Sequence, residues 1–382
     1  MKHPCGALLL SVAASWSAAT SAVVAQSNSS DSESRFGPFE VTHELDADGL
    51  VSFGAGDADS ELIADFRLRF DAEQVLQSGL RWGIVAELAS HRGDGRRGLD
   101  ARNLTLPPSS VGLVTGLGAQ RREASLTSGF EQFEIYLKSQ TFEVMLGQGQ
   151  TAARRHRPSQ STALRLGRVD GGLVDPMGGA LASTRLSLTE AAPGIQVQTR
   201  RLVGFVLAAS IAPSADLCGP VQCRSSDGAD IKNIVSVSAD FDRRARSTGV
   251  RWQVQMAAEQ GDIERGNPIQ AYEDPYILSL SAVRSLDGVS VGVRALQTND
   301  GLLSSRYRAV AGHIGVEQGE WLFSGELARA HSDLIDQSGW TAQLGASRFV
   351  GRKGLLGGAI RLQGGGSDPS GIAFLAEAGL RF

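Results

Sequence analysis

Two groups of arginines carry the most suggestive chemistry in this chain. Arg67, Arg69 and Arg81 stand on the polar face of two alternating segments, and Arg154, Arg155, His156, Arg157, Arg165 and Arg168 crowd residues 149–181, against only Asp170 and Asp175. Guanidinium groups that line a water-filled passage set its ion preference and favour anions. The same groups also bind phosphate groups of other molecules, or simply solvate a loop. Asp170-Gly171-Gly172 and Asp175-Pro176 have turn chemistry as much as pore-lining character. Covalent chemistry is not provided for. There is no Gly-x-Ser-x-Gly elbow, no His-Glu-x-x-His pair and no phosphate-binding loop. His91 above Glu87 is better read as a solvated pair than as a catalytic dyad, and the expectation is a non-enzyme without cofactor or metal. Cys218 and Cys223 lie in Cys-Gly-Pro-Val-Gln-Cys, and in an exported chain a small loop disulfide is the default. A zinc site would need further cysteine or histidine ligands, and none lies nearby.

The elements that must position these residues are strands. Leu62, Ala64, Phe66, Leu68 and Phe70 alternate with Asp65, Arg67, Arg69 and Asp71; Leu80, Trp82, Ile84, Ala86 and Leu88 oppose Arg81 and Glu87. Val250, Trp252, Val254, Met256 and Ala258 oppose Arg251, Gln253, Gln255 and Glu259, and Val289, Val291, Val293 and Ala295 oppose Ser290 and Arg294. Such period-two patterning makes one apolar and one polar face. Read throughout, it predicts sixteen strands with cores at 39–53, 60–72, 79–91, 130–138, 141–148, 182–190, 195–211, 231–243, 249–259, 275–285, 288–297, 305–317, 320–331, 338–349, 354–365 and 370–382. Even-to-odd connections are short and odd-to-even connections are often long (92–129, 149–181, 212–230, 260–274). A membrane barrel with both ends in the periplasm keeps this parity, and a soluble sandwich has no reason to. Trp82, Trp252 and Trp321 fall where the periplasmic interface should be; Trp340, Tyr276 and Tyr307 fall at the outer one.

Export is legible too. Lys2 and His3 precede an apolar run from Ala7 to Val24, which ends in a small-residue site at Ala25. Residues 1–25 are therefore expected to be a signal peptide, leaving 26–382 as a single barrel domain. Cys5 precedes the run, which argues against a lipoprotein. After the signal no apolar stretch reaches the length of a spanning helix. The net charge of −4 lacks the basic footprint of a nucleic-acid binder. In lipid every backbone polar group must be paired within the protein, so the sheet must close, and sixteen strands enclose an aqueous lumen.

Phe130-Glu-Gln-Phe-Glu-Ile-Tyr-Leu-Lys138 followed by Thr141-Phe-Glu-Val-Met-Leu-Gly147-Gln148-Gly149-Gln150 resembles the Gram-negative general diffusion porins. In that family a Gly-Arg-Gln-like sequence precedes a long third loop that folds into the barrel; the arginine is missing here. The end of the chain, Phe374 to Leu380 and Phe382, is similar to the signal that the outer-membrane barrel-assembly machinery recognises. The resemblance implies an all-β, 16-stranded antiparallel transmembrane barrel with an inward third loop, assembled as a homotrimer in the outer membrane. Its partners would be membrane lipid, lipopolysaccharide and small hydrophilic solutes diffusing passively; no nucleic acid is expected. It further implies a constriction made by loop 149–181 (Arg154, Arg155, Arg157, Arg165, Arg168, Asp170, Asp175) facing Arg67, Arg69 and Arg81. This loop is more basic than the family pattern, so a weak anion preference is expected. In the family the second loop, here 92–129, latches onto a neighbouring subunit. A solute-specific channel for phosphate or another anion, a structural or adhesive barrel, and a soluble all-β binding protein are the competing readings.

Overall fold

The chain closes into one antiparallel ring of sixteen strands. The computed structural model describes residues 36–54, 61–93, 112–115, 125–170, 182–189, 191–215, 218–219, 222–223, 230–265, 272–351, 353–365 and 371–381. The barrel is built from β1 (Phe36–Gly54), β2 (Glu61–Leu76), β3 (Arg81–Gly93), β4 (Ser125–Lys138), β5 (Phe142–Gly149), β6 (Ala192–Thr199) and β7 (Phe205–Ser214). It continues with β10 (Asp230–Arg244), β11 (Arg251–Arg265), β12 (Tyr276–Leu286), β13 (Val289–Thr298), β14 (Tyr307–Gln318), β15 (Trp321–Ser332), β16 (Gln337–Val350), β17 (Gly354–Gly365) and β18 (Gly371–Arg381). A separate two-stranded ribbon, β8 (Cys218–Gly219) and β9 (Gln222–Cys223), sits in the connection after β7. The only described helix is a single turn, α1 (Ala152–Arg155).

Closure is made by β1 against β18, paired from Asp46↔Arg381 to Gly54↔Ala373. At the end of that seam the Arg381 guanidinium donates to both Asp46 oxygens, at 2.7 and 3.1 Å. Exposure is inverted relative to a soluble protein. On β18, Phe374 is 52 % exposed while Glu377 is 3 %. On β13, Val289, Val291 and Val293 face outward while Ser290 and Arg294 are buried. An outward apolar band of this kind is the lipid-facing surface of a membrane barrel.

The alternation fails at two places, and the two failures compensate. Residues 182–190 are predicted as a strand, but the described part, 182–189, is irregular chain inside the barrel. Its backbone donors go to side chains rather than to a ladder: Ser183 N donates to the Tyr307 hydroxyl (2.8 Å) and Leu188 N to Glu259 Oε2 (3.0 Å). Leu186 and Leu188 alternate because they pack in an interior cluster with Ile277, Leu296 and Tyr307, not because they meet lipid. The expected single strand 195–211 is instead two strands, β6 and β7, joined by a tight turn in which Val203 and Gly204 both have positive φ, 52° and 97°. That turn calls for Asn or Gly at its first central position; Val is β-branched and gives no turn signal. The count of sixteen therefore stands with different members.

Connections keep the expected parity: the turns after β2, β4, β6, β10, β12, β14 and β16 are short, and the longest connections, 94–124 and 150–191, leave the opposite end. Trp252 and Trp321 face outward at the short-turn end, and Trp340 near the other. Tyr307 departs from the girdle. It is fully buried on the lumen face of β14, because its register puts it with Ala309 and Ala311.

Candidate functional site

Between β5 and β6 the chain turns inward and lies along the lumen wall. The first contacts are made by α1 itself: Ala152 N donates to Ser210 Oγ on β7 (3.0 Å) and Ala153 N to Ser236 Oγ on β10 (2.9 Å). Farther on, Ala163 N donates to Ser324 Oγ on β15 (2.9 Å). The backbone N–H groups of Arg165, Leu166 and Gly167 converge on the Glu377 carboxylate of β18, at 2.8 to 3.3 Å. Gly167 O accepts from Gln343 Nε2 and from Arg361 Nη2, each at 2.8 Å, and Val169 N donates to Glu326 Oε2 (3.0 Å). The loop thus meets the buried polar-group requirement with wall side chains in place of a β-ladder. Close approach also requires a missing side chain: a Cβ on Gly315 of β14 would collide with the Ser161 carbonyl oxygen. Leu164 and Leu166 pack against Leu50, Ile63 and Leu375, an apolar patch on the lumen side of β1, β2 and β18.

Charge organises the assembly. Among the described residues, the loop carries six arginines (Arg154, Arg155, Arg157, Arg165, Arg168 and Arg185) and one carboxylate, Asp170. Arg155 is ion-paired with Glu134 of β4, and Arg165 with Asp48 of β1 (3.5 Å). His156 Nε2 meets Gln198 Oε1 at 2.6 Å. Arg154, Arg157 and Arg168 are half-buried. Asp170 is buried and accepts Thr184 N at 2.6 Å, so it stabilises the loop's own return as well as facing Arg294 of β13 (3.7 Å). Asp175 lies outside the described residues.

The wall between these two loop anchors holds the other arginine group. Arg67 donates to Asp65 (2.9 Å) and lies 3.7 Å from both Glu87 and Glu131; Arg69 lies 3.8 Å from Glu87. A β-bulge opposite Glu87 and Leu88 inserts Glu131 as an extra residue, so that Glu131 and Gln132 are both buried on this side. Arg67 and Arg69 stay 33 % and 43 % exposed. Arg81 shares their face but not their level. Its strand partner is Val75, six residues along β2 from Arg69 or about 20 Å. There it pairs with Glu73 (3.1 Å), which also takes Lys138 (3.3 Å). Asp65 and Glu87 share these polar faces in the sequence; the structure pairs them with the arginines and adds Glu131.

Sequence reading missed most of the residues that hold the loop. Glu259 is legible as a carboxylate on an alternating polar face, and Glu134, Glu326 and Glu377 carry the same signal. The serines at 210, 236 and 324 carry none. Cys218 and Cys223 are directly opposite in the β8–β9 ribbon. Phe374 and Leu380 face outward on β18, and Phe382 lies outside the described residues.

The sequence model of the Gram-negative porin family matches residues 10–362. No curated protein matches the sequence. Among solved structures, an anion-selective porin from Comamonas acidovorans is similar at 12 % identity with a TM-score of 0.58, covering 90 % of this chain and 100 % of that one. OprB of Pseudomonas putida is 10 % identical with a TM-score of 0.57, over 90 % and 94 % of the two chains. The trimer form of OmpT, an outer membrane protein of Vibrio cholerae, is 9 % identical with a TM-score of 0.56, over 90 % and 99 %.

Proposed function

The chain belongs to the Gram-negative porin family, and from that membership we propose how its lumen conducts. It is an outer-membrane channel in which small hydrophilic solutes and ions diffuse passively through a closed 16-stranded barrel. The conducting route is the gap between the inward loop and the arc of wall formed by β2 and β3. The observation that carries this is the pair of loop anchors, Arg155–Glu134 on β4 and Arg165–Asp48 on β1, which bracket the part-exposed Arg67 and Arg69. A permeating ion passes a basic loop on one side and a wall on the other whose arginines are balanced by Asp65, Glu87 and Glu131. The net result is a weak anion preference carried mainly by the loop. The likeness to an anion-selective porin is consistent with it.

The channel performs no catalysis, and the protein is a homotrimer, a reading supported by the trimeric form of one structural neighbour. Residues 1–25 direct export, and Cys218 and Cys223 are joined: paired positions on an antiparallel ribbon have the Cα separation that a disulfide requires. Planar-bilayer recording tests the function. Expected are ohmic currents that do not saturate with any one solute and a reversal potential slightly on the anion side, together with swelling of protein-loaded liposomes in neutral sugars. Currents that saturate with a single solute, or a strong cation preference, would overturn the reading.

A further inference from the structure

The inward loop and the wall behind it bring together three arginines and a histidine away from the Arg67–Arg69 wall. Arg294 of β13 and His313 of β14 are 2 % and 5 % exposed on the lumen face. The loop adds Arg168 and Arg185 from either side of Asp170, because Thr184, next to Arg185, donates its backbone N–H to Asp170 at 2.6 Å. Asp170 Oδ2 is also 3.7 Å from Arg294 Nη1 and accepts the Thr184 hydroxyl. Arg294 is thus the guanidinium paired with Asp170, and the charges of Arg168 and Arg185 act on the same place. The acids that act most strongly on Arg168, Glu326 and then Glu377, are already committed, Glu326 to Val169 N and Gln343 and Glu377 to the N–H groups of Arg165, Leu166 and Gly167.

Donors are left over. Among the described residues, Arg294 Nε and Nη1, Arg168 Nε and Arg185 Nε are buried without a hydrogen-bond partner, as are the ring nitrogens of His313, one of which is a donor in the neutral imidazole. Arg185 holds a single long contact, from Nη2 to Gln160 Oε1 at 3.5 Å. Burial first, then the charges of Arg294 and Arg168, pushes the Arg185 guanidinium well below its ordinary value. Arg294 Nη2 does donate to Pro158 O, but among the described residues the donors named above are unmet, and buried cations that repel one another are costly unless an anion joins them. The missing component is compact, negatively charged and rich in acceptor oxygens.

We propose that Arg168, Arg185, Arg294 and His313 form a binding site for a small tetrahedral oxyanion, inorganic phosphate or sulfate, which pins the inward loop to β13 and β14. The anion enters from the lumen, where Arg168 and Arg185 are half-buried. A lipid headgroup has no access to the inner face of a closed barrel. The site stands apart from the Arg67–Arg69 wall, and binding is read without conduction, so it succeeds or fails separately from the diffusion reading.

Calorimetric titration of the folded full chain in detergent with inorganic phosphate, against sodium chloride at equal ionic strength, tests the site. One saturable phosphate site per chain that chloride does not occupy is expected. Arg185→Gln should weaken it about ten-fold or more, while Arg81→Gln, at the far end of the lumen, should bind as the unmodified chain does. Should Arg185→Gln not fold, Arg168→Gln is to show the same loss. Phosphate heats indistinguishable from chloride, or affinity unchanged in both loop variants, would overturn the proposal. Displacement of phosphate by phosphatidylglycerol micelles would overturn it too, since that would mark the site as a lipid headgroup site.

Discussion

The carboxylate of Asp300 grips Thr115: it accepts the Thr115 backbone N–H at 2.7 Å and its hydroxyl at 2.5 Å, and it takes Val114 N as well, at 2.9 Å. Thr115 belongs to the β3–β4 connection and Asp300 to the β13–β14 connection, eight strands apart in a ring of sixteen. The second loop therefore reaches across the mouth of its own barrel. There Leu113 and Val114 join the interior cluster with Val169, Leu186 and Tyr307. In the resembled family this loop is expected to latch onto a neighbouring subunit; here its described part has an intramolecular partner.

Asp300→Ala should loosen that strap. It removes three hydrogen bonds to a buried carboxylate, on the order of 3 kcal/mol. Single-channel recording should show a larger or noisier current than the unmodified protein. An identical trace would mean that segment 112–115 does not limit the mouth.

Neutralising the wall arginines should expose the acids beside them. With Arg67→Gln and Arg69→Gln together, Asp65, Glu87 and Glu131 lose their counter-charge. The reversal potential should move clearly toward cations. Arg81→Gln should move it much less, because about 20 Å of strand exceeds two Debye lengths of about 8 Å at physiological salt. Equal shifts from the two changes would place the selective region elsewhere.

Glu377 is expected to be the main anchor of the loop's far end, since it alone receives three successive backbone N–H groups. Glu377→Ala leaves these donors unmet at a cost on the order of 3 kcal/mol. Trypsin should then cut the folded protein after Arg165 or Arg168 faster than in the unmodified chain. Unchanged resistance would show that the Leu164 and Leu166 contacts hold the loop by themselves.

Val203 should be replaceable with profit. At φ 52° a β-branched side chain is strained, and Asn suits the first central position of this turn. Val203→Asn should stabilise the barrel by about 1 kcal/mol, read as a higher denaturant midpoint for unfolding from detergent. A lower midpoint would indicate that Val203 makes a compensating contact.

Cys218 and Cys223 should resist alkylation until the protein is reduced. Their small ring limits the stabilisation to about 2 kcal/mol in the loop-closure account. Two thiols titrated in the folded, non-reduced protein would contradict the bond.

What the sequence determined by itself was the barrel. Alternation is a property of a few neighbouring residues, and Val289-Ser-Val-Gly-Val-Arg294 is legible as one lipid face and one lumen face without knowledge of any other strand. Connection lengths are equally local, which is why parity and strand number could be read. Even the two misreadings were local: Leu186 and Leu188 alternate as a strand does, and Val203 hides a turn. Tertiary structure alone decided where the loops go. Arg165 meets Glu377 across 212 positions and Thr115 meets Asp300 across 185. A carboxylate on a strand face looks the same in sequence whether it lines open water, balances Arg67 or receives a loop's N–H groups. Only closure of the ring brings β18 beside β1 and sets the β13–β14 connection opposite the β3–β4 connection, and the lumen's charges acquire partners only in that enclosed space, where a buried polar group must be satisfied.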